Sequence, residues 1–332
     1  MRLPRRQFSL LIACAAALGA AFRALPSAAQ GWPTRPVTMV VPYAAGGPAD
    51  VIARVIAPGM SHVLGQQMIV ENVGGAGGVT GAERVAHAPP DGYQFLFGVT
   101  GVLAFNQSLY RHPPYNSTMD FAPVGLVATA PPLLITRKDF PAANLKEFTG
   151  YAKQHPGALK FGSAGAGSGP HITCVLINSA AGISAVHVPY RGSNPAYQDL
   201  LPGRIDYMCD FSSTALPQIK SGAVKAIATL TRERTPMLPS LATADEQGLS
   251  GFDAPGWYAL VLPMGAPEAV VHRLNDAMSK SLDDPAVGGQ LSQLGNTIVP
   301  PAQRTPEYLS SFIQSEIKKW AGPIKASGVS ME

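Results

Sequence analysis

Short β-rich runs alternate with amphipathic segments along this chain, and glycine clusters stand where strand gives way to helix. That alternation narrows the possible folds more than any other feature. Val37–Val41 reads as a strand, Val51, Ile52, Val55, Ile56, Met60 and Val63 recur at helical spacing, and Met68–Val70 is the next strand. Such βαβ order belongs to a parallel sheet covered by helices. It continues through a helix at Thr80–His87, a strand at Gln94–Gly98, a helix at Val102–Leu109 and a strand at Val124–Ala128, and breaks at Pro131-Pro132. A second series starts at Leu133, with helices at Leu145–His155, Ile172–Ala181 and Tyr197–Leu201 and strands at Lys160–Gly162, Val186–Val188, Tyr207–Cys209 and Val224–Thr229. The last hundred residues hold one strong strand, Trp257–Leu262. The helices Glu268–Leu282, Pro285–Leu294 and Pro306–Ala326 that follow have no strands of their own to cover, so they are expected to return to the first sheet. The pattern predicts two α/β lobes, residues 30–125 with 229–332 and residues 126–228. Crossing strands near Val124–Ala128 and Val224–Thr229 would join them, with a ligand cleft between.

Residues 1–29 read as an export leader rather than structure. Arg5-Arg6-Gln7-Phe8 precedes an apolar run from Ser9 to Phe22, and Ser27-Ala28-Ala29 offers the small residues of a cleavage site, placing the cut near Ala29. The paired arginines resemble a twin-arginine signal, although Pro4 stands where Ser or Thr is usual; a general secretory leader with two arginines is the alternative. Cys14 has lipoprotein spacing, but cutting there would leave a six-residue apolar core and an apolar mature start. No later stretch has the ~20 uninterrupted apolar residues of a membrane span. The expected location is the periplasm.

The charge balance excludes one class of partner. Of 25 basic residues, four lie in the first 29, leaving 21 against 21 acidic residues. Nucleic-acid binding therefore has no compositional support. Cys174 and Cys209 remain after the leader, and the sequence cannot place their Cα atoms, so two separate buried thiols are expected.

Three glycine-rich loops each join a strand to a helix: Pro42–Asp50, Gly74–Gly78 and Gly162–Gly169. Backbone N–H groups at a helix start, unobstructed by Cβ atoms, hold an anion without any Lys or Arg. A carboxylate or phosphate suits them, and a tight turn is the plain alternative for each. None fits a nucleotide fingerprint: no Lys follows the third loop, and Ala76 and Thr80 break a G-x-G-x-x-G reading of the second. Ser168 is not in a G-x-S-x-G elbow, because Ala166 precedes it by two. Seven histidines show no metal-binding spacing, so no metal or cofactor is expected. His171 follows the third loop and could donate to an anion or simply pack. Asp210, at a strand end beside Phe211, could orient a ligand or cap the next helix. Tyr43, Tyr190, Phe211 and Trp257 fall near loops and could line a cleft, with core packing the default for Trp257.

The chain closely resembles the Bug family of periplasmic solute receptors, the binding components of tripartite tricarboxylate transporters. The resemblance rests on Trp32-Pro33-Thr34-Arg35-Pro36-Val37, Val41–Gly47 with Asp50, Val70-Glu71-Asn72 leading to Gly75–Gly78, and Pro89–Tyr93. It continues through Phe121–Val124, Ser163–Gly169, His187–Gly192 and Leu262–Pro267, and so spans the mature chain. It implies the fold of type II periplasmic binding proteins, a Venus flytrap, and capture of a small carboxylate for a membrane permease. In that family one ligand carboxylate is held between two loops, largely by backbone amides and ordered waters, and these loops correspond to Tyr43–Gly47 and Ser163–Ser168. The candidate ligand-binding set is therefore Tyr43, Ala45, Gly46, Gly47, Asp50 and Thr100 from the first lobe. Ser163, Ala164, Gly165, Gly167, Ser168 and His171 come from the second, with Tyr190, Asp210, Phe211 and Ser212 for the distal end. Tyr43 where Phe is common, Asn72-Val73-Gly74 in place of Asn-Arg-Pro, and Cys209 in a usually Cys-poor chain are the departures.

The expected function is a non-enzymatic receptor, monomeric, for a mono-, di- or aromatic carboxylate, acting with permease subunits. Two alternatives stand beside it. One is an exported hydrolase of small carboxylate esters with Ser168 and His171 as nucleophile and base, which lacks an acidic orienter and an oxyanion motif. The other is a ligand sensor partnering a sensor kinase.

Overall fold

The structure, a computed structural model, describes residues 31–332; the expected leader and its cleavage site lie outside the described residues. The first lobe begins with strand β1 (Val37–Val41), helix α1 (Pro48–Leu64), β2 (Met68–Asn72), α2 (Val79–Ala86) and β3 (Gln94–Val99). Helix α1 shows why the sequence folds this way locally. Pro48 supplies a preset φ at the first helical position, Ile52, Ile56, Met60 and Leu64 bury one face, and Gly65 ends the helix in the left-handed conformation. Beyond β3 the backbone makes a wide turn at Gly101–Phe105 that runs into a short helix α3 (Asn106–Leu109).

Strand β4 (Phe121–Ala130) belongs to the first sheet, and after Pro131 alone the chain enters β5 (Pro132–Arg137) in the second. The second lobe then holds α4 (Leu145–Gln154), β6 (Lys160–Ser163), α5 (Gly169–Ala181) and β7 (Val186–Pro189). It closes with α6 (Ser193–Leu200), β8 (Tyr207–Phe211), α7 (Ser212–Lys220) and β9 (Val224–Thr229). Residues 230–255 carry the chain back to β10 (Gly256–Pro263), followed by α8 (Glu268–Asp283), α9 (Pro285–Gln293), β11 (Thr297–Ile298) and α10 (Pro306–Ala326). The sheet orders are β11-β4-β10-β3-β1-β2 and β7-β6-β8-β5-β9. Helices α8 and α10 pack on the first sheet, as expected for helices without strands of their own. Trp257 of β10 and Trp320 of α10 both donate through Nε1 to Glu316 Oε2 at 2.9 Å, tying helix to sheet.

The βα alternation is present, but the sheets are mixed. β10 lies between β3 and β4 and runs antiparallel to both, and β5 runs antiparallel to β8 and β9. All eight β10 residues are buried, and a strand covered on both faces reads as a continuous apolar run whatever its direction.

The expectation of two separate thiols is corrected. Cys174 on α5 and Cys209 on β8 form a disulfide with their Cα atoms 5.4 Å apart, well inside the range a disulfide spans. Helix α5 packs across β8, and the two residues meet in that interface although 35 positions separate them in sequence.

Candidate functional site

The lobes meet backbone to backbone through the glycine loops. The Ala44 amide of the first lobe donates to the Arg191 carbonyl of the second at 3.2 Å. Gly77 sits at φ +64°, and a Cβ there would fall inside the Ala166 carbonyl oxygen across the cleft. Gly165 faces Gly77 from the other side at φ +119°. Only residues without side chains let the two loops approach so closely.

Behind these contacts lies a narrow cavity of about 30 Å³. Helix starts from both lobes converge on it. Gly47, Pro48 and Ala49 open α1, Gly169 and Pro170 open α5, Ser193 opens α6, and Phe211 precedes α7. The first turns of α1 and α6 follow Gly47 and Gly192, which offer no capping side chain, so their leading N–H groups have no partner of that kind. These two starts oppose each other: a Cβ on Gly47 would lie 4.0 Å from the Ser193 amide nitrogen. Each carries the positive end of a helix dipole. The walls are Tyr43, Val99, Ala164, Phe211, Trp257 and Tyr258, and among the described residues no Asp, Glu, Lys, Arg or His lines the cavity. A second chamber shares Ala164 with it as a lining residue and is walled by Gly75–Gly77, Gly165, Ala166, Tyr190 and Arg191.

Of the candidate residues, Tyr43, Gly47, Thr100, Ala164 and Phe211 line the first cavity, and Gly165 and Tyr190 the second chamber. Tyr43 Oη donates to the Gly77 carbonyl at 3.0 Å, bracing one glycine loop on another, and burial raises its pKa. Thr100 Oγ1 accepts from the Trp257 amide at 2.8 Å. Tyr190 donates to Asp199 Oδ2 at 2.7 Å, and burial together with that carboxylate pushes its pKa up to about 12.

The other candidates surround the cavity without lining it. Asp50 Oδ2 accepts the Gly46 amide at 2.9 Å, and both its oxygens accept from Arg54 Nε at 3.0 Å. Burial works against its ionisation, but Arg54, the Gly46 amide and Asn72 together hold its carboxyl below the usual range. Asn72 also donates to the Tyr43 carbonyl at 3.1 Å, so Asp50, Arg54 and Asn72 fix the whole 43–47 loop from behind. Ala45 is exposed on that loop.

In the second lobe, Ser168 caps α5 by accepting the His171 amide at 3.3 Å. The His171 ring turns elsewhere. Its Nδ1 accepts the Gly167 amide at 3.1 Å, and its face stacks on His187 at 3.9 Å between centroids. Burial, then the charge of His187, lowers the His171 pKa to about 3; burial lowers that of His187 to about 4. Ser168 Oγ and the His171 ring are thus not brought together as nucleophile and base. Ser163 Oγ lies 2.6 Å from His187 Nε2 and accepts the Gly165 amide at 3.1 Å, holding the loop in shape. Asp210 is wholly buried beneath the cavity, and Ser212 Oγ donates to the Gly295 carbonyl of the first lobe at 3.2 Å.

Ser193, Tyr258 and Pro170 line the cavity and were not among the sequence candidates. Tyr258 sits in the apolar run of β10. Ser193 opens a helix whose Ser-Asn-Pro start carries no apolar period, and Gly192 just before it was the available signal.

Two lobes closing on a charge-free cavity at opposed helix starts define a two-lobed solute-binding protein. A sequence-family profile described as the tripartite tricarboxylate transporter family receptor matches residues 52–329. The chain is 39% identical over 292 residues to the UPF0065 protein in the tcbD-tcbE intergenic region of Pseudomonas sp. (strain P51), covering 88% of this chain and 86% of that protein. The solved structure of the periplasmic binding protein BugD superposes with a TM-score of 0.88 at 39% identity, covering 91% of this chain and 100% of BugD. MatC from Rhodopseudomonas palustris, solved with bound malate, gives a TM-score of 0.86 at 41% identity, covering 88% of this chain and 100% of MatC. The chain belongs to the tripartite tricarboxylate transporter receptor family.

Proposed function

We propose that the exported protein, freed of its leader near Ala29, closes its lobes on a small carboxylate and delivers it to the membrane subunits of a tripartite transporter. The observation that carries this reading is the pair of opposed helix starts, α1 from one lobe and α6 from the other, on a cavity with no charged side chain. Partial positive charge and free N–H donors suit a carboxylate. Because the donors come from both lobes, an anion bound between them stabilises the closed arrangement over the open one, which couples capture to closure. The absence of a cation from the wall leaves no buried ion pair to break on release to the permease. Binding of malate by MatC, a relative of the same fold, agrees with a carboxylate ligand.

Thermal melting of the chain from Gln30 onward, against small aliphatic and aromatic acids and their amides, tests this. At ~100 times its dissociation constant a ligand adds about 2.7 kcal/mol. At least one acid is expected to raise the melting temperature while its amide does not. Equal shifts for acid and amide, or none with any acid, would overturn the carboxylate assignment.

A further inference from the structure

Ser193 stands in the cavity wall with 1% of its surface exposed, and the direction of its proton is fixed from behind. Its Oγ donates to Asp210 Oδ1 at 2.7 Å, while Thr214 Oγ1 donates to Asp210 Oδ2 at 2.6 Å. Asp210 is fully buried, and burial pushes its carboxyl above the usual range while the Thr214 and Ser193 hydroxyls, one on each oxygen, work the other way. A serine hydroxyl has one proton and two lone pairs. With the proton held by Asp210, what Ser193 presents to the cavity is an acceptor. Ser193 itself opens α6, and the start of α1 lies close by; neither helix start has its N–H groups capped by a side chain. This part of the wall is therefore polarised: N–H groups that want an anion, and next to them the Ser193 oxygen, which wants an N–H or O–H.

Resting on the carboxylate reading above, we propose that the preferred ligand is a carboxylate carrying a hydrogen-bond donor, a hydroxyl or amino group, on a carbon close to the carboxyl, and that Ser193, oriented by Asp210, selects for it. A Cβ on Gly47 would lie 4.0 Å from the Ser193 amide nitrogen, so a carboxylate seated at the α1 start lies beside Ser193. A ligand without the donor leaves a buried acceptor unpaired, and a keto oxygen at the same place sets two acceptors face to face. Asp210 acts here as a positioning residue: it touches Ser193, not the ligand.

The test is titration calorimetry of the mature protein with two matched sets, malate, aspartate, oxaloacetate and succinate, then lactate, alanine, pyruvate and propionate. Within a set, the hydroxy or amino acid is expected to bind at least about tenfold more tightly than the keto and unsubstituted acids, equivalent to about 1.4 kcal/mol. The hydroxy and amino members separate the two sources of the donor. Ser193→Ala should collapse the hydroxy-to-unsubstituted affinity ratio toward one. Asp210→Asn, whose amide can donate to Ser193 and turn its proton into the cavity, should shift the ratio toward the keto acid. A folding defect lowers affinity for all members alike and leaves the ratio in place, so the ratio isolates the selection. Equal affinities across a set in the wild-type protein, or an unchanged ratio in Ser193→Ala, overturn the inference while the carboxylate reading stands; if no member binds and no other acid does either, both fall.

Discussion

Replacing Gly77 by Val separates the cost of backbone strain from the cost of closure. Gly77 is at φ +64°, where a residue with a Cβ is strained by about 1–3 kcal/mol whether or not the lobes touch. That part lowers the melting temperature and cancels from the closure equilibrium. The second part exists only when the lobes are together, because the new side chain then meets the Ala166 carbonyl, a backbone atom that no rotamer change can remove. Overpacking of this kind costs about 1–3 kcal/mol, which reduces the population of the closed form, and hence the affinity, by about 5- to 150-fold. Calorimetry with the best acid from the melting screen measures the affinity, and small-angle scattering of the ligand-saturated protein measures the closure. The variant should bind weakly and stay more expanded than the wild type. Wild-type affinity and a wild-type radius of gyration would show that the Gly77–Ala166 contact plays no part in binding.

Breaking the Cys174–Cys209 disulfide by substituting both residues with Ala should cost about 3–4 kcal/mol through the freed 35-residue loop, a fall of about 5 °C in melting temperature; an unchanged melting point would count against the bond. The His171 and His187 pKa values, lowered to about 3 and about 4, make the unfolded chain bind more protons than the native one from about pH 6.5 downward. Stability is therefore full above pH 6.5 and declines toward pH 4, and His187→Asn should flatten a melting curve measured across that window. Replacing Asp50 with Ala removes the acceptor that fixes Gly46 and Arg54, and should weaken acid binding about tenfold for a stability loss of only about 1–2 kcal/mol, read by calorimetry and melting together.

Much of the fold is legible from period and punctuation. The apolar spacing of Val51 to Val63 is a local feature, and helix α1 appears where it places it. The direction of β10 is not local: a strand buried on both faces shows only that it is buried, and its antiparallel setting depends on where residues 230–255 carry the chain. The disulfide is hidden for the same reason, since the register of α5 over β8 is a tertiary fact. Glycine loops announce the floor of the site, and Gly47, Ala164 and Gly165 do line its chambers. The polar groups beside them divide in a way the sequence does not mark. Asp50, Ser163 and His171 hold the loops from behind, whereas Ser193, which carries no motif beyond the preceding glycine, reaches the cavity wall.

The most direct test of the account is a crystal structure of the mature protein with the acid that stabilises it most. The carboxylate is predicted between the lobes, its oxygens within ~3 Å of the Ala49 and Ser193 amide nitrogens and with no cationic side chain touching it. A carboxylate seated instead on Arg191 in the outer chamber, away from both helix starts, would contradict it.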